Sequence, residues 1–185
     1  MNESLLARRY AKALLAYAEE LGEADLLYPV MRHLGRTLRH ASRESEVVDN
    51  PTLSEELRGR FVEALAGVEP VPESLRRFVR LVFDHNREYL FGPMALAYLQ
   101  LYRQSRGIVV AEVRCAHPLS QEAKGKIERL IAAHKQGKVE LEVKVESQLV
   151  GGFVVTVDGK RLDASVAGEL ERIRQHLSER NRSIV

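Results

Sequence analysis

The sequence is poor in several kinds of residue, and each shortage excludes a class of protein. Cys115 is the only cysteine among 185 residues, so no disulfide can form within the chain. Tryptophan is absent and aromatic residues make up only 6% of the chain, which argues against the base-stacking surface of single-strand nucleic-acid binders. No run approaches the roughly 20 consecutive apolar residues of a membrane-spanning helix. The first residues also lack the apolar core of a signal peptide, and we therefore expect a cytosolic protein.

The charge of the chain is nearly balanced. Its 28 Lys and Arg residues face 26 Asp and Glu residues, which leaves a net charge of +2. Non-specific binding of nucleic acid needs a concentrated basic patch. The richest basic stretch, residues 32–43, is interrupted by apolar residues at helical spacing, as is typical of a helix with one solvated face. An RNA-binding adaptor that uses this basic second helix remains the alternative function.

Motifs for catalysis and cofactor binding are also missing. The three Gly-Lys pairs lack the upstream glycine and the following Ser or Thr of a phosphate-binding loop. The histidines form no HxxxH pair and do not lie at ligand spacing from the cysteine. Asp163 and Ser165 could suggest a small hydrolase, but no histidine lies beside them, and Asp163 is expected to accept backbone N–H bonds at the start of a helix. We predict no catalytic residue, no cofactor and no metal ion.

The first 105 residues have the periodicity of helices. Apolar residues recur at intervals of three and four, which predicts helices over residues 4–20, 23–42, 53–66, 72–86 and 88–105. Thr52-Leu53-Ser54-Glu55 has the pattern of a capping box, with Thr52 as the N-cap. The connections are short, and short connections favour antiparallel neighbours. We predict that residues 1–105 form an antiparallel helical bundle.

Strand-like alternation begins after Gly107. Residues 108–116 and 139–145 alternate apolar and polar side chains, and a helical segment lies between them at 120–134, with Leu130 among its buried residues. This order fits a strand–helix–strand crossover. Residues 153–157 and 160–163 then form a hairpin, and a last helix begins near Ser165. The predicted fold class is α+β: the helical bundle followed, over residues 106–185, by a small α/β domain with a short mixed sheet and two helices.

Five residues near the hairpin are predicted to shape turns and caps. Gly151 and Gly152 lack the spacing of a nucleotide-binding loop and indicate a bend where two backbones approach closely. Asp158-Gly159 is a strong signal for a two-residue hairpin turn. Asp163 follows the returning strand and is expected to tie it to the next helix. We interpret residues 149–170 as a hairpin with its supporting helix rather than as an active site.

Four motifs, in order, resemble the delta subunits of bacterial F-type ATP synthases, a family related to the mitochondrial oligomycin-sensitivity-conferring protein. They are ARRYAKALLAYAEE, NPTLSEE, NREYLFGPMALAYLQLYRQSRGIVVAEVRCAHPLS and LVGGFVVTVDGKRLDASVAGELERI. The motifs lie between residues 7 and 173, and the resemblance extends over nearly the whole chain. The family usually has an Asp-Pro-Ser-Leu-like run before the double glycine, where this chain has Glu146-Ser147-Gln148-Leu149.

The resemblance implies a non-catalytic stator subunit that holds the catalytic head still against the rotor during proton-driven ATP synthesis. The helical domain would bind the N-terminal helices of alpha subunits, with beta subunits as a further candidate contact. The C-terminal domain would bind the b-type subunits of the peripheral stalk. The isolated chain would be a monomer that binds no nucleic acid. It would lie at the cytoplasmic face of the bacterial membrane and touch the membrane only through the complex.

The resemblance also implies which residues meet these partners. The first helix and the helix over residues 72–86 would form the groove for the alpha subunit, lined by Tyr10, Ala13, Leu14, Tyr17, Leu75, Val79 and Val82. The stalk contact would use Phe153, Val155 and Leu170. Any of these residues could belong to the core of its own domain instead, because an amphipathic stripe has the same spacing in both cases.

Overall fold

The computed structural model describes residues 3–38, 42–134, 137–157, 159–166 and 168–170. The chain divides into two compact units, residues 1–106 and 107–185. The first contains helices α1 (Glu3–Glu20), α2 (Ala24–Thr37), α3 (Arg43–Val48), α4 (Glu55–Leu65), α5 (Glu73–Asp84) and α6 (Phe91–Ser105), with a 3₁₀ turn (Glu88–Leu90) before α6. The second contains β1 (Ile108–Cys115), α7 (Gln121–His134), β2 (Lys138–Val145), a 3₁₀ turn (Ser147–Leu149), β3 (Gly152–Val157) and β4 (Lys160–Ser165).

The predicted fold class is confirmed, since a helical bundle precedes a small mixed sheet with helical cover. Residues 166 and 168–170 are helical and begin the predicted closing helix. The rest of that helix, and the predicted turn residue Asp158, lie outside the described residues.

Helix α6 lies at the centre of the N-terminal unit and packs against α1 and α2. Small side chains on α1 let the helices approach closely, since Ala7, Ala11 and Ala18 are at most 2% exposed. Tyr98 of α6 is fully buried, and its hydroxyl donates to the carbonyl oxygen of Ala24 at 3.2 Å. The core therefore contains a large aromatic side chain whose polar atom has a partner.

Serine side chains mark the starts of α3 and α4. Ser42 Oγ accepts the N–H of Ser45 at 3.0 Å, and Ser54 Oγ accepts the N–H of Leu57 at 3.3 Å. The predicted cap at Thr52 is wrong, because the Thr52 hydroxyl donates to Asn50 Oδ1 at 2.7 Å instead. The sequence pattern also fails to predict α3, which is too short to show a helical period.

Gly92 is required by the close approach of the end of α2 to the start of α6. A Cβ atom on Gly92 would lie 2.2 Å from the carbonyl oxygen of Leu38. The neighbouring Pro93 lies in the first turn of α6, where a missing N–H leaves no helical hydrogen bond unmade. The Gly-Pro pair therefore fits the helix start.

The C-terminal unit is a four-stranded mixed sheet with the order β2-β1-β3-β4. The crossover through α7 makes β1 and β2 parallel, whereas β3 pairs antiparallel with both β1 and β4. Val113 on β1 pairs with Val143 and Val155, at the centre of the apolar core. The expectation that Leu130 is buried is wrong, because its side chain is 65% exposed. Helix α7 packs mainly against β2 and leaves the apolar face of the hairpin beside Leu130 partly uncovered.

Candidate partner-binding surfaces

Asp163 and Ser165, the candidate pair for hydrolysis, form a helix cap. Asp163 Oδ1 accepts hydrogen bonds from the Ser165 hydroxyl at 2.6 Å and from the Ser165 N–H at 3.0 Å. Ser165 Oγ in turn accepts the N–H of Gly168 at 3.0 Å. The Ser165 hydroxyl, the Ser165 N–H and then Arg161 lower the pKa of Asp163 to about 2. The pair thus ties β4 to the helical residues that follow, and the Ser165 side chain is buried within this joint.

The double glycine lies against the same joint. Gly152 has a φ of +75°, and a Cβ atom on it would lie 2.2 Å from a backbone carbonyl oxygen of β4. The Gly151 carbonyl oxygen accepts the N–H of Val166 at 3.0 Å. Gly159, in the turn between β3 and β4, has a φ of +77° and open space around it. These glycines are explained by backbone conformation and close approach.

In the part of the chain that the structure describes, no group of three or more His, Cys, Asp and Glu side chains could hold a metal ion. Among the same residues, no helix is long and apolar enough to cross a membrane.

The surface between α1 and α5 contains only some of the residues predicted to bind a partner there. Four of the seven side chains belong to the bundle core, with exposures of 3% or less: Leu14, Leu75, Val79 and Val82. They are not available to a partner in this structure, so their assignment to the groove surface is corrected. Tyr10 and Tyr17 are half-buried and Ala13 is exposed. For these three residues the prediction stays open.

The accessible part of this surface is a shallow groove of about 390 Å³, here called the α1–α5 groove. Its lining residues are Arg9, Tyr10, Ala13, Leu81, His85 and Arg87. Ala13 lies close to one turn beyond Tyr10, and its small side chain leaves space beside the tyrosine ring. Leu81 is 43% exposed, whereas the other large apolar side chains of α5 are buried. The groove therefore has an apolar floor that the bundle itself does not cover.

Contacts from outside α1 hold the two tyrosines in place. Arg87 Nη1 donates to the Tyr10 hydroxyl at 2.7 Å, and its guanidinium carbon lies 5.3 Å from the centre of the ring. Phe78 meets the same ring edge-on, with 6.5 Å between the ring centroids. The guanidinium of Arg77 lies 5.5 Å from the centre of the Tyr17 ring. Fixed, partly exposed tyrosines of this kind are common anchors in protein interfaces.

The C-terminal unit has an apolar groove of its own, between α7 and the β3–β4 hairpin, with a volume of about 430 Å³. We call it the α7–hairpin groove, and its lining residues are Leu130, Ile131, Val155, Val157, Lys160, Arg161 and Leu162. Leu130 and Leu162 are the most exposed of its apolar residues, at 65% and 63%. Of the residues predicted to meet the stalk, Val155 lines the groove and is 6% exposed. Phe153 packs half-buried against the sheet core and Leu170 is 60% exposed, both outside this lining.

Sequence reasoning missed Leu81, Leu162 and the arginines that hold the tyrosines. The sequence does contain a signal for Leu81, because this residue lies outside the regular spacing of the other apolar residues on α5. The arginine contacts join residues far apart in the chain, 77 positions in the case of Tyr10 and Arg87. No local pattern predicts such a pair.

The comparisons with known proteins agree with one another. The sequence model described as "ATP synthase delta (OSCP) subunit" matches residues 6–177. The chain is 35% identical to ATP synthase subunit delta of Phocaeicola vulgatus over 185 residues, which covers 100% of both chains. It is 30% identical to the subunit of the same name from Synechococcus sp. strain CC9605, with 91% of this chain and 92% of the relative covered.

A structural comparison finds the same fold. A chain in the cryo-EM structure of the Toxoplasma gondii mitochondrial ATP synthase hexamer superposes with a TM-score of 0.68 and 19% identity, covering 93% of this chain and 97% of the other. None of these similarities supports the RNA-binding alternative.

Proposed function

Because the chain belongs to the ATP synthase delta (OSCP) subunit family and is a peripheral-stalk subunit, we propose that it is a non-catalytic link between the catalytic head and the stalk. In this role it holds the head against the torque of the rotor and converts no substrate itself. Its N-terminal unit binds the head, and its C-terminal unit binds the stalk.

The observation that carries this proposal is that each unit has an apolar groove of its own. A mechanical link needs two separate contacts, one for each body that it joins. An open groove with apolar residues along its floor suits an amphipathic helix, which inserts side chains spaced three and four residues apart. The two grooves therefore supply what a link between two helical partners requires.

At the head, the α1–α5 groove receives the N-terminal helix of an alpha subunit. Tyr10 borders the helix, Ala13 lets it approach α1, and Leu81 meets its apolar side chains. Tyr17, two turns further along α1, offers a contact beyond the groove. Leu14, Leu75, Val79 and Val82 support these residues from the core rather than touching the partner. A beta subunit is a further candidate for contact with the outer surface of this unit.

At the stalk, the α7–hairpin groove receives a helix of a b-type subunit. Leu130 and Leu162 provide the exposed apolar contacts, and Val155 forms part of the floor. Phe153 supports the sheet behind the groove. Leu170, which is 60% exposed, is a further candidate contact outside the groove.

The family also indicates where the protein works. As part of ATP synthase it is associated with the membrane through the complex, and we place it at the cytoplasmic face. Away from the complex we expect a monomer, because each groove is built for a partner helix.

Binding measurements on the full chain test both ends. Leu81→Asp places a carboxylate on the floor of the α1–α5 groove and should weaken binding of a peptide from the alpha N-terminus by at least about tenfold, as should Tyr10→Asp. Leu162→Asp should weaken binding of a soluble b-subunit fragment and leave the peptide affinity unchanged. Titration calorimetry measures both affinities.

Matched controls come from exposed apolar residues outside the two grooves. Leu57→Asp on α4 and Val145→Asp on β2 make the same chemical change at sites that are 54% and 55% exposed, and both should bind like the unaltered chain. If the unaltered chain bound neither partner at micromolar concentrations, the proposed function would be wrong. If it turned over a nucleotide unaided, the non-catalytic role would be wrong.

A further inference from the structure

The α1–α5 groove is lined by basic residues and by no acidic ones. Three of its six lining residues have basic side chains, Arg9, His85 and Arg87, and none has a carboxylate. The nearest acidic residue of α5, Asp84, lines the depression on the other side of the helix, between α4 and α5. A partner in this groove therefore meets positive charge beside an apolar floor.

Arg87 is held in place by several contacts. Its backbone N–H donates to the carbonyl oxygen of Val82 at 3.1 Å, which anchors the residue just after the end of α5. Its side chain is half-buried and is held over the Tyr10 ring by the bond to the tyrosine hydroxyl. That bond uses one of the five guanidinium donors. No described carboxylate pairs with Arg87, so its other donors are available at the edge of the groove.

We propose that the α1–α5 groove selects a helix whose apolar stripe is bordered by carboxylates, and that Arg87 pairs with one of them. The inference rests on the proposed function, because it takes the alpha-subunit helix as the occupant. A guanidinium held in one orientation binds a carboxylate through two parallel hydrogen bonds. Because the partner excludes water from a half-buried site, the pair is worth more there than on an open surface. Arg87 thus sets the register of the helix, while Leu81 and the tyrosines supply apolar contact.

A double-mutant cycle tests the pairing. The full chain and its Arg87→Gln variant are each titrated with the alpha N-terminal peptide and with peptides in which one Asp or Glu at a time becomes Asn or Gln. One such change should weaken binding to the unaltered chain about tenfold and have little effect on the Arg87→Gln variant. The affinity of the matching pair should also fall as salt rises.

Two further variants separate the pairing from structural effects. Tyr10→Phe removes the hydroxyl that holds Arg87 but keeps the ring, so the coupling should become smaller without vanishing, because the ring and backbone contacts of Arg87 remain. Arg80→Gln changes an exposed arginine that lines the α4–α5 depression, and no peptide change should couple to it. Thermal unfolding of each variant checks that the fold is intact.

The outcomes distinguish the two proposals. A peptide that binds without coupling to Arg87 at any acidic position would overturn the pairing and leave the linking function standing. A peptide that does not bind would overturn the choice of occupant. A coupling of similar size at Arg80 would show general charge attraction rather than a pair with Arg87, and would overturn the pairing.

Discussion

The carboxylate of Glu23, in the turn between α1 and α2, caps a helix far away in the sequence. It accepts the N–H groups of Glu73 at 3.1 Å and Ser74 at 2.8 Å, which are two of the unpaired donors at the start of α5. Pro72 occupies the N-cap position of α5 and has no side-chain oxygen to offer. Glu23 therefore performs the capping role, and its negative charge also suits the positive end of the helix dipole.

This contact makes stability depend on pH. Partial burial raises the pKa of Glu23, but hydrogen bonds from Ser74 and Glu73 outweigh it, so the pKa falls below its ordinary value of 4.5. Because the pKa of Glu23 is lower in the folded state than in the unfolded state, the stabilisation by its carboxylate is complete above pH 4.5. It is lost as the pH falls through the folded-state pKa.

We expect Glu23→Gln to lower the free energy of unfolding by about 0.5–1 kcal/mol at neutral pH, since an amide oxygen still accepts hydrogen bonds but carries no charge. The difference from the unaltered chain should shrink as the pH falls below 4.5. Urea unfolding at several pH values measures it. Glu20→Gln, an exposed change on α1, serves as the control. An equal loss in both variants would contradict the capping role.

At the scale of elements, the joint between β4 and the following helix shows a second acid-sensitive contact. Hydrogen bonds from the Ser165 hydroxyl and N–H, then from Arg161, bring the pKa of Asp163 to about 2 against an ordinary 3.8. Because this pKa is lowered in the folded state, the contribution of Asp163 to folding stability is complete above about pH 3.8 and is lost as the pH falls through about 2.

Asp163→Ala should loosen this joint without unfolding the helical bundle, which is a separate unit. The backbone N–H of Ser165 loses its acceptor, and Ser165 is no longer oriented to accept from Gly168. Hydrogen exchange should therefore accelerate at these two amides and remain unchanged at the amides of α6. Unchanged exchange at both amides would contradict the role of Asp163 as a tie.

How far the sequence predicts the structure depends on whether the decisive contact is local. Hairpin alternation and long amphipathic helices are local patterns, and the predicted fold class is confirmed by the structure. The start of α4 is mistaken by two positions because Thr52 and Ser54 are equally good caps by type. Only the competing bond from Thr52 to Asn50 decides between them.

The grooves are harder to predict for a physical reason. Leu14 and Val79 have the same spacing whether their helices meet each other or a partner, and the bundle uses them for its core. The reverse holds for Leu130, which fits the apolar stripe of α7 and is left exposed because the helix covers only part of the sheet. The boundary between core and binding surface depends on where each element packs. The spacing of apolar residues along one helix does not predict that packing.

At the scale of the whole molecule, the proposed link has its two contacts in series. Torque passes from the head through the N-terminal unit, along the chain and through the C-terminal unit to the stalk. A series connection fails when either contact fails. Two contacts to the same partner would behave differently, because each would hold the other at high effective concentration and one loss would be partly compensated.

The prediction that follows concerns ATP-driven proton pumping by the reconstituted complex. Leu81→Asp and Leu162→Asp should each reduce pumping to the same low level, and the double variant should be no lower, because the first break already frees the head. ATP hydrolysis by the head should persist in all three, since in the proposed role the chain supplies no catalytic group. The control double variant, Leu57→Asp with Val145→Asp, should pump normally. A double variant of the groove residues that pumped clearly less than either single variant would show that the contacts act in parallel, and the series arrangement would then be wrong.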